Sequence, residues 1–215
     1  LRDLSRKLVI FDCDGVLTNA KSSWSVLHEY FGSKDNEYFA ELYKRGLISY
    51  LDWMIIDVAL MIHSRGAPIT KSEVEKAFMN VEIRREARTV IKELKKNKHI
   101  PAVVSSGVDL LVRRVCNELG IELCLFNELL FVNDELVPGG IPRVPLREKP
   151  NIVKRLIHSL NFNLEDVVYI GDSWWDIEVF KIVPMSIAIK PCGEVCNYAK
   201  YVINNLTEML DLLNY

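Results

Sequence analysis

The chain lacks most of the features that mark a membrane, secreted or nucleic-acid-binding protein. None of its apolar runs approaches the ~20 residues that a helix needs to span a bilayer. Its opening, Leu1-Arg2-Asp3-Leu4, has none of the apolar character of a secretory leader. The five cysteines are odd in number and irregularly spaced, which argues against a secreted disulfide framework. No histidine stands beside them at zinc-ligand spacing. All five are expected to be small apolar fillers in a reducing cytoplasm. The formal charge of −2 supplies no global attraction to nucleic acid or to an anionic membrane. Glutamine is absent, a trait of thermophilic proteins that the many asparagines offset. There is no internal repeat and no low-complexity segment. What remains is an ordinary globular composition, 49% apolar and 26% charged over 215 residues. That length suffices for a full core carrying a smaller insert.

The chain is organised around Lys7-Leu8-Val9-Ile10-Phe11-Asp12-Cys13-Asp14-Gly15-Val16-Leu17-Thr18. Val9, Ile10 and Phe11 run without a polar interruption, as in a strand buried on both faces of a parallel sheet. In open α/β sheets, ligands bind at the carboxyl ends of such strands. Alternation sends Asp12 and Asp14 to the same side. Two carboxylates so close repel each other unless a cation or a shared proton offsets them. An Asp-x-Asp-Gly alone is also a common turn, so its meaning depends on the rest of the chain.

After Thr18 the pattern turns helical. Ser22 or Ser23 can cap a helix with Trp24, Leu27 and Phe31 on one face. Asp35 is placed to start the next, which Gly46 stops. Ser49 with Asp52, and Thr70 with Glu73, read as capping boxes for two further helices. Nothing here reads as a strand, so residues 17–82 are expected to be an all-helical insert. Strands and helices then alternate. The strands are 99–105, 123–126, a hairpin of 129–132 and 135–137 turning on Asn133-Asp134, 167–170, 186–189 and 201–203. The helices are one carrying Ile83 to Leu94, then 108–119, 150–160, 174–182 and 206–213. Residues 1–16 and 83–215 are thus expected to form an α/β core, a parallel sheet between helices, with the insert leaving after the first strand.

Three more strand ends carry reactive side chains. Ala102-Val103-Val104 runs into Ser105-Ser106-Gly107, where hydroxyls and free amides at a helix start could hold an anion. Lys149 precedes Pro150 at another helix start. Val167-Val168-Tyr169-Ile170 ends in Gly171-Asp172, with Asp176 one helical turn on. Each alone has a bland reading as loop, surface lysine or helix cap. Jointly they supply carboxylates for a hard divalent cation, and a hydroxyl, amides and an ammonium for phosphate oxygens.

That ordered set resembles the haloacid dehalogenase-like (HAD) superfamily of phosphohydrolases, over essentially the whole chain. Its four motifs map onto Asp12 to Thr18, Ser105, Lys149, and Gly171-Asp172 with Asp176. The insert is similar to the family's C1 cap. The hairpin and Val104-Ser105-Ser106-Gly107-Val108-Asp109 resemble its phosphoserine phosphatase branch. The resemblance implies a Rossmann-like three-layer core with a helical cap, and a Mg²⁺-dependent phosphatase acting on a small phosphorylated metabolite. In it Asp12 would be the nucleophile that forms an aspartyl-phosphate, and Asp14 the general acid and base. Asp12, the Asp14 carbonyl and Asp172 would hold Mg²⁺. Asp176 would orient a metal-bound water or Lys149, while Ser105, the Ser106 amide and Lys149 would neutralise the phosphoryl oxygens. The resemblance also shows departures. Where the branch has a glutamate to meet the substrate amino group, this chain has Lys21. The cap-helix stretch Trp53 to Val58 holds Asp57 and no arginine for a substrate carboxylate. In the fourth motif Trp175 replaces an asparagine. Lys21, Asp57 and Trp175 are therefore the candidate specificity residues. A phosphotransferase would share every residue named, and a phospho-ligand binding module is the non-enzymatic alternative. A dehalogenase would need neither Asp14 nor Asp172.

Overall fold

The structure, a computed structural model, describes residues 6–34 and 37–213. Its first strand, β1 (Leu8–Phe11), is buried along its whole length. Alternation divides it between two apolar clusters, Val9 and Phe11 in one, Leu8 and Ile10 in the other. A strand apolar on both faces belongs inside a sheet covered by helices on both sides.

Four helices follow: α1 (Ser23–Tyr30), α2 (Glu37–Lys44), α3 (Tyr50–Arg65) and α4 (Lys71–Ala77). Then come α5 (Arg85–Lys96), β2 (Ile100–Val108), α6 (Asp109–Leu119), β3 (Leu123–Val132) and β4 (Glu135–Ile141). The chain finishes with α7 (Lys149–Ser159), β5 (Val167–Gly171), α8 (Ile177–Phe180), β6 (Met185–Ile189), β7 (Tyr201–Ile203) and α9 (Glu208–Leu212). One seven-stranded sheet results, ordered β4-β3-β2-β1-β5-β6-β7. All neighbours are parallel except the β3–β4 hairpin. This is the expected three-layer α/β core with a helical insert after β1. Register matters most for function. Phe11 pairs with Val103 of β2 and with Ile170 of β5. Asp12, Ser105 and Asp172 therefore leave the sheet at one level.

The local signals hold where they are strongest. Ser49 and Asp52 cap α3 reciprocally, Gly66 closes it at φ 68°, and Thr70 and Glu73 cap α4. Ser22 caps α1 by accepting from the Ser25 amide. The hairpin turns on Asn133 and Asp134, both left-handed as a two-residue turn requires. The expected helix start at Asp35 lies outside the described residues. No described helix is long and apolar enough to cross a membrane.

Other expectations need correction. The strand expected to end at Ser105 runs on through Ser106 and Gly107 to Val108, and α6 starts one residue later than expected, at Asp109. The pairing of β2 with β3 shifts register between Val104 and Val108, so the serines sit on an irregular strand extension. β3 is one strand and not two, because the polar interruption at Asn127 is satisfied by the backbones of Ser106 and Val144. The helix expected over 174–182 opens as a 3-10 turn, Trp174–Asp176, before α8. Four of the five cysteines are not fillers. Cys116–Cys124 ties α6 to β3, and Cys192–Cys196 closes the loop after β6. The tight connection at Gly120, which ends α6 at φ 68°, folds β3 back beside that helix. Spacing along the chain cannot report this proximity. Cys13 is the buried thiol.

The insert is fastened at both ends and once in between. Thr18 and Ile83 form an antiparallel bridge, flanked by Asn19 N donating to Glu82 O (3.0 Å) and Arg84 N to Leu17 O (2.8 Å). On the far side Thr70 bridges Glu135, and Leu136 N donates to Ile69 O at 2.7 Å. Leu27, Val58, Met61 and Phe78 share one buried cluster with Phe11 and Val103. The insert is thus packed onto the sheet as well as tethered to it.

α3 and β4 come into close contact at Gly140. A methyl there would overlap the Met54 side chain and stand 2.7 Å from the Glu128 carbonyl oxygen. Gly140→Ala is expected to destabilise by about 1–3 kcal/mol. In a thermal melt that is a fall of ~2–4 °C per kcal/mol. An unchanged melting temperature would show that α3 slides off β4 without cost.

Candidate active site

Lys149, the first residue of α7, is 1% exposed. Its ammonium donates to Asp12 Oδ2 at 2.6 Å and to Asp176 Oδ1 at 2.7 Å. A buried cation persists only where anions and hydrogen bonds replace its hydration. Burial works to lower its pKa, but Asp12 and Asp176 overcome this and hold it well above the ordinary lysine value.

Asp176 is saturated. Its Oδ1 also accepts from the Tyr169 hydroxyl at 2.6 Å. Its Oδ2 accepts from the amides of Asp172 (3.1 Å) and Ser173 (3.0 Å) and from Ser173 Oγ (2.9 Å). Burial alone would raise its pKa, but Lys149 and these donors reverse the effect and lower it. Asp12 is fixed by its own amide, which donates to Ile170 O at 2.9 Å, and by Cys13 N, which donates to its Oδ1 at 2.6 Å. Burial pushes Asp12 up to about 6 against the pull of Lys149. Asp172 stands beside it, raised to about 8 by burial and then by the charges of Asp12 and Asp176. Gly15, at φ 73°, makes this approach feasible, since any side chain there would run into the Asp172 carboxylate.

Asp14 is asymmetric. Its Oδ2 accepts from both Ser23 N and Ser23 Oγ, each at 2.7 Å. Its Oδ1 is buried with no hydrogen-bond partner among the described residues. Burial raises its pKa, and the two Ser23 bonds pull back against that. Ser23 is in turn held by Val108 N, which donates to its hydroxyl at 2.9 Å. Gly107 lies against this arrangement, where a methyl would come 2.8 Å from Ser23 Oγ and 2.9 Å from Asp14 Oδ2. Ser105 Oγ accepts from Gly107 N at 3.1 Å, whereas Ser106 Oγ is buried without a partner among the described residues. The Ser106 carbonyl is fixed by three donors: Asn127 Nδ2 (2.9 Å), Tyr50 Oη (3.0 Å) and Trp24 Nε1 (3.3 Å).

These groups open into a cavity of about 260 Å³. Asp12, Asp14, Ser105, Ser106 and Asp172 line one end, and Lys21, Asp57 and Trp175 also reach it. Lys21 is exposed at the rim. Asp57 is 4% exposed and faces His28 Nε2 at 3.4 Å. Lys149 and Asp176 stand behind Asp12, off the cavity wall. Ser23, Tyr169, Asn127 and Gly107 are supports that sequence reasoning missed. Ser23 was legible only as a helix cap, and Asn127 only as a break between strands.

Carboxylate oxygens of Asp12, Asp172 and Asp176 lie within 4.8 Å of one another. The two oxygens of Asp176 already accept from Lys149, Tyr169, two amides and Ser173 Oγ, so Asp12 and Asp172 are the acids left for a cation. Hard oxygen donors, crowded enough to raise each other's pKa, fit a hard divalent ion.

Comparison with known proteins places the chain among hydrolases. The family described as haloacid dehalogenase-like hydrolase matches residues 6–183. A phosphoserine phosphatase of Methanocaldococcus jannaschii is 30% identical over 199 residues, covering 89% of this chain and 92% of the relative. A solved substrate-bound phosphoserine phosphatase complex aligns with a TM-score of 0.80 at 25% identity, covering 96% of this chain and 98% of that one. A phospho-aspartyl intermediate analogue of phosphoserine phosphatase aligns at 0.78 with 26% identity and the same coverage, 96% and 98%.

The raised carboxyls set a pH dependence. Asp12 (about 6) and Asp172 (about 8) bind their protons more tightly folded than unfolded. Their contribution to stability is therefore present below the unfolded value of about 4 and is lost as pH rises through 6 and 8. The cation-free protein is expected to melt lower at pH 8.5 than at pH 5. A divalent cation removes the repulsion, so the rise in Tm on adding it should be larger at pH 8.5. An increment that did not change with pH would mean the two acids do not share the ion.

Proposed function

We propose, from the fact that this chain belongs to the haloacid dehalogenase-like hydrolases, that it is a phosphomonoesterase for a small phosphorylated metabolite with Asp12 as nucleophile. The observation that carries this reading is the division of labour between the two aspartates. Asp12 is backed by the Lys149 ammonium, while Asp14, which lines the same cavity, has one buried oxygen without a hydrogen-bond partner among the described residues. Asp12 attacks phosphorus, the ester P–O bond breaks, and an aspartyl-phosphate forms, splitting one difficult displacement into two. Asp14 gives its proton to the leaving alcohol. It then takes one from the water that attacks the aspartyl-phosphate and frees inorganic phosphate. Because Ser23 donates twice to Oδ2, the transferable proton sits on Oδ1, the oxygen left without a donor. Ser105, the Ser106 amide and the positive charge of Lys149 offset the charge on the transferring group. Mg²⁺, held by Asp12 and Asp172 with the Asp14 carbonyl, would supply further neutralisation of that charge.

Residues 17–82 act as the cap that shields this end of the sheet from bulk water and contacts the leaving group. The bridged neck at Thr18 and Ile83 supports that boundary. Lys21, Asp57 and Trp175 lie where a leaving group would sit, and they are the residues proposed to select it. The M. jannaschii relative is named for phosphoserine, but an exposed ammonium at the rim repels the substrate's amino group. A phosphotransferase would use the same residues with an alcohol in place of water. A pure binding module would give Asp14 no task.

The direct test is phosphate release from a panel of small phosphomonoesters with Mg²⁺ or with EDTA. Release is expected only with Mg²⁺ and should fall by roughly 10³-fold or more in Asp12→Asn. Turnover that survived Asp12→Asn would exclude the aspartyl-phosphate route.

Ser23→Ala tests how Asp14 is aimed. Alkyl esters need a proton on the leaving oxygen, and general acids are worth about 10²–10⁴-fold. Alkyl ester turnover is expected to drop by about tenfold. 4-Nitrophenyl phosphate, whose leaving group departs unprotonated, should drop far less. Equal losses on both would show that Ser23 supports only the fold.

A further inference from the structure

We infer that the cavity is built for a leaving alcohol with an aromatic or apolar body, in preference to an amino-acid alcohol; this rests on the phosphatase reading above. Beyond the catalytic carboxylates and serines, the wall is formed largely by Trp24, Tyr50, Trp53, Met54, Leu146 and Trp175. Two of these have their polar ends turned away onto backbone, since Tyr50 Oη and Trp24 Nε1 both donate to the Ser106 carbonyl. What they leave for a ligand is ring surface.

Such a wall could be ordinary core filling. The packing says otherwise. Tyr43, Tyr50 and Met54, with Trp53, Leu146 and Trp175 against them, form a cluster of their own beside the two that sandwich the sheet, and Trp24 packs against both this cluster and one of those two. Tyr43 is the backing plate, with ring centroids 5.3 Å from Trp53 and 5.9 Å from Trp175. It is itself pinned by Arg147 N, which donates to its hydroxyl at 2.9 Å. The two tryptophans, one from α3 and one from the turn after β5, are therefore held as a pre-formed aromatic wall. Pre-formed rings of this kind lose little entropy on binding and pair well with another ring.

The charges point the same way. Past the cation end, the charged residues on the wall are Lys21 at the rim and Asp57. Asp57 already faces His28, a partner inside the protein. A zwitterionic alcohol would thus meet one ammonium and one carboxylate that already faces a histidine. An uncharged ring meets Trp53 and Trp175. The volume of about 260 Å³ suits a small molecule and not a polypeptide.

The test is a binding comparison by calorimetry in the presence of Mg²⁺, using hydrolysis-resistant phosphonates. 3-Phenylpropylphosphonate stands for the aromatic ester and 2-amino-4-phosphonobutanoate for phosphoserine. The aromatic ligand is expected to bind at least about tenfold tighter, or ~1.4 kcal/mol. Trp53→Ala and Trp175→Ala, each checked for folding by melting, should each remove most of that preference. Equal binding, tighter binding of the amino-acid ligand, or a preference that survives both variants overturns the inference. Phosphate release from 2-phenylethyl phosphate and phosphoserine, measured in parallel, separates the two readings. If neither ester is cleaved while the binding preference holds, the hydrolase reading falls and the aromatic chamber stands.

Discussion

The rest of this structure depends on one buried ammonium. Lys149 joins α7 to β1 through Asp12 and to the turn after β5 through Asp176. Removing any one of these three would leave charge stranded in a low-dielectric interior, which costs far more than the hydrogen bond itself. The surrounding donors follow from that constraint. Tyr169, Ser173 and two backbone amides complete Asp176, so the second acid of the fourth motif becomes a fixed anchor. Asp172, one turn earlier, is left to the cavity. The same aspartate type at two positions thus takes opposite pKa shifts, because Asp176 is paired with Lys149 and saturated with donors, whereas Asp172 is desolvated by burial and faces like charges.

A second dependency runs from the insert into the chemistry. Ser23 belongs to α1, yet it holds Asp14 Oδ2 and is held by Val108 N of β2. Tyr50 of α3 anchors the Ser106 carbonyl on the same extension of β2. Met54, one turn further, faces the cavity and packs on Gly140 of β4. The insert does not merely cover the sheet edge. It fixes one oxygen of Asp14 and supplies much of the cavity wall.

Legibility varied residue by residue. The capping boxes at Ser49-Asp52 and Thr70-Glu73 were readable because capping is decided within four residues. The acids at the ends of β1 and β5 were readable because a buried apolar strand that stops at a carboxylate sets that charge at a sheet end, where a cation or hydrogen-bond donors must answer it. Asn127 looked like a break because its two bonding partners, Ser106 and Val144, lie 21 and 17 residues away. The cysteine pairs were hidden for a related reason. Cys116 and Cys124 meet only because α6 and β3 are folded side by side. Lys149 was expected among the phosphate-binding groups from its motif, and the structure places its ammonium against Asp12 and Asp176.

By itself the sequence determined the alternation of strands and helices, the place of the insert, and the identity and order of the candidate site residues. Those depend on period, capping and composition, which are local. Only the tertiary structure decided which aspartate is saturated, which oxygen of Asp14 is held by Ser23, and that Tyr43 backs both Trp53 and Trp175. These depend on contacts between elements, with separations from the 9 positions between Asp14 and Ser23 to the 137 between Asp12 and Lys149. The sheet register brings such partners together, and no short stretch of sequence encodes that register.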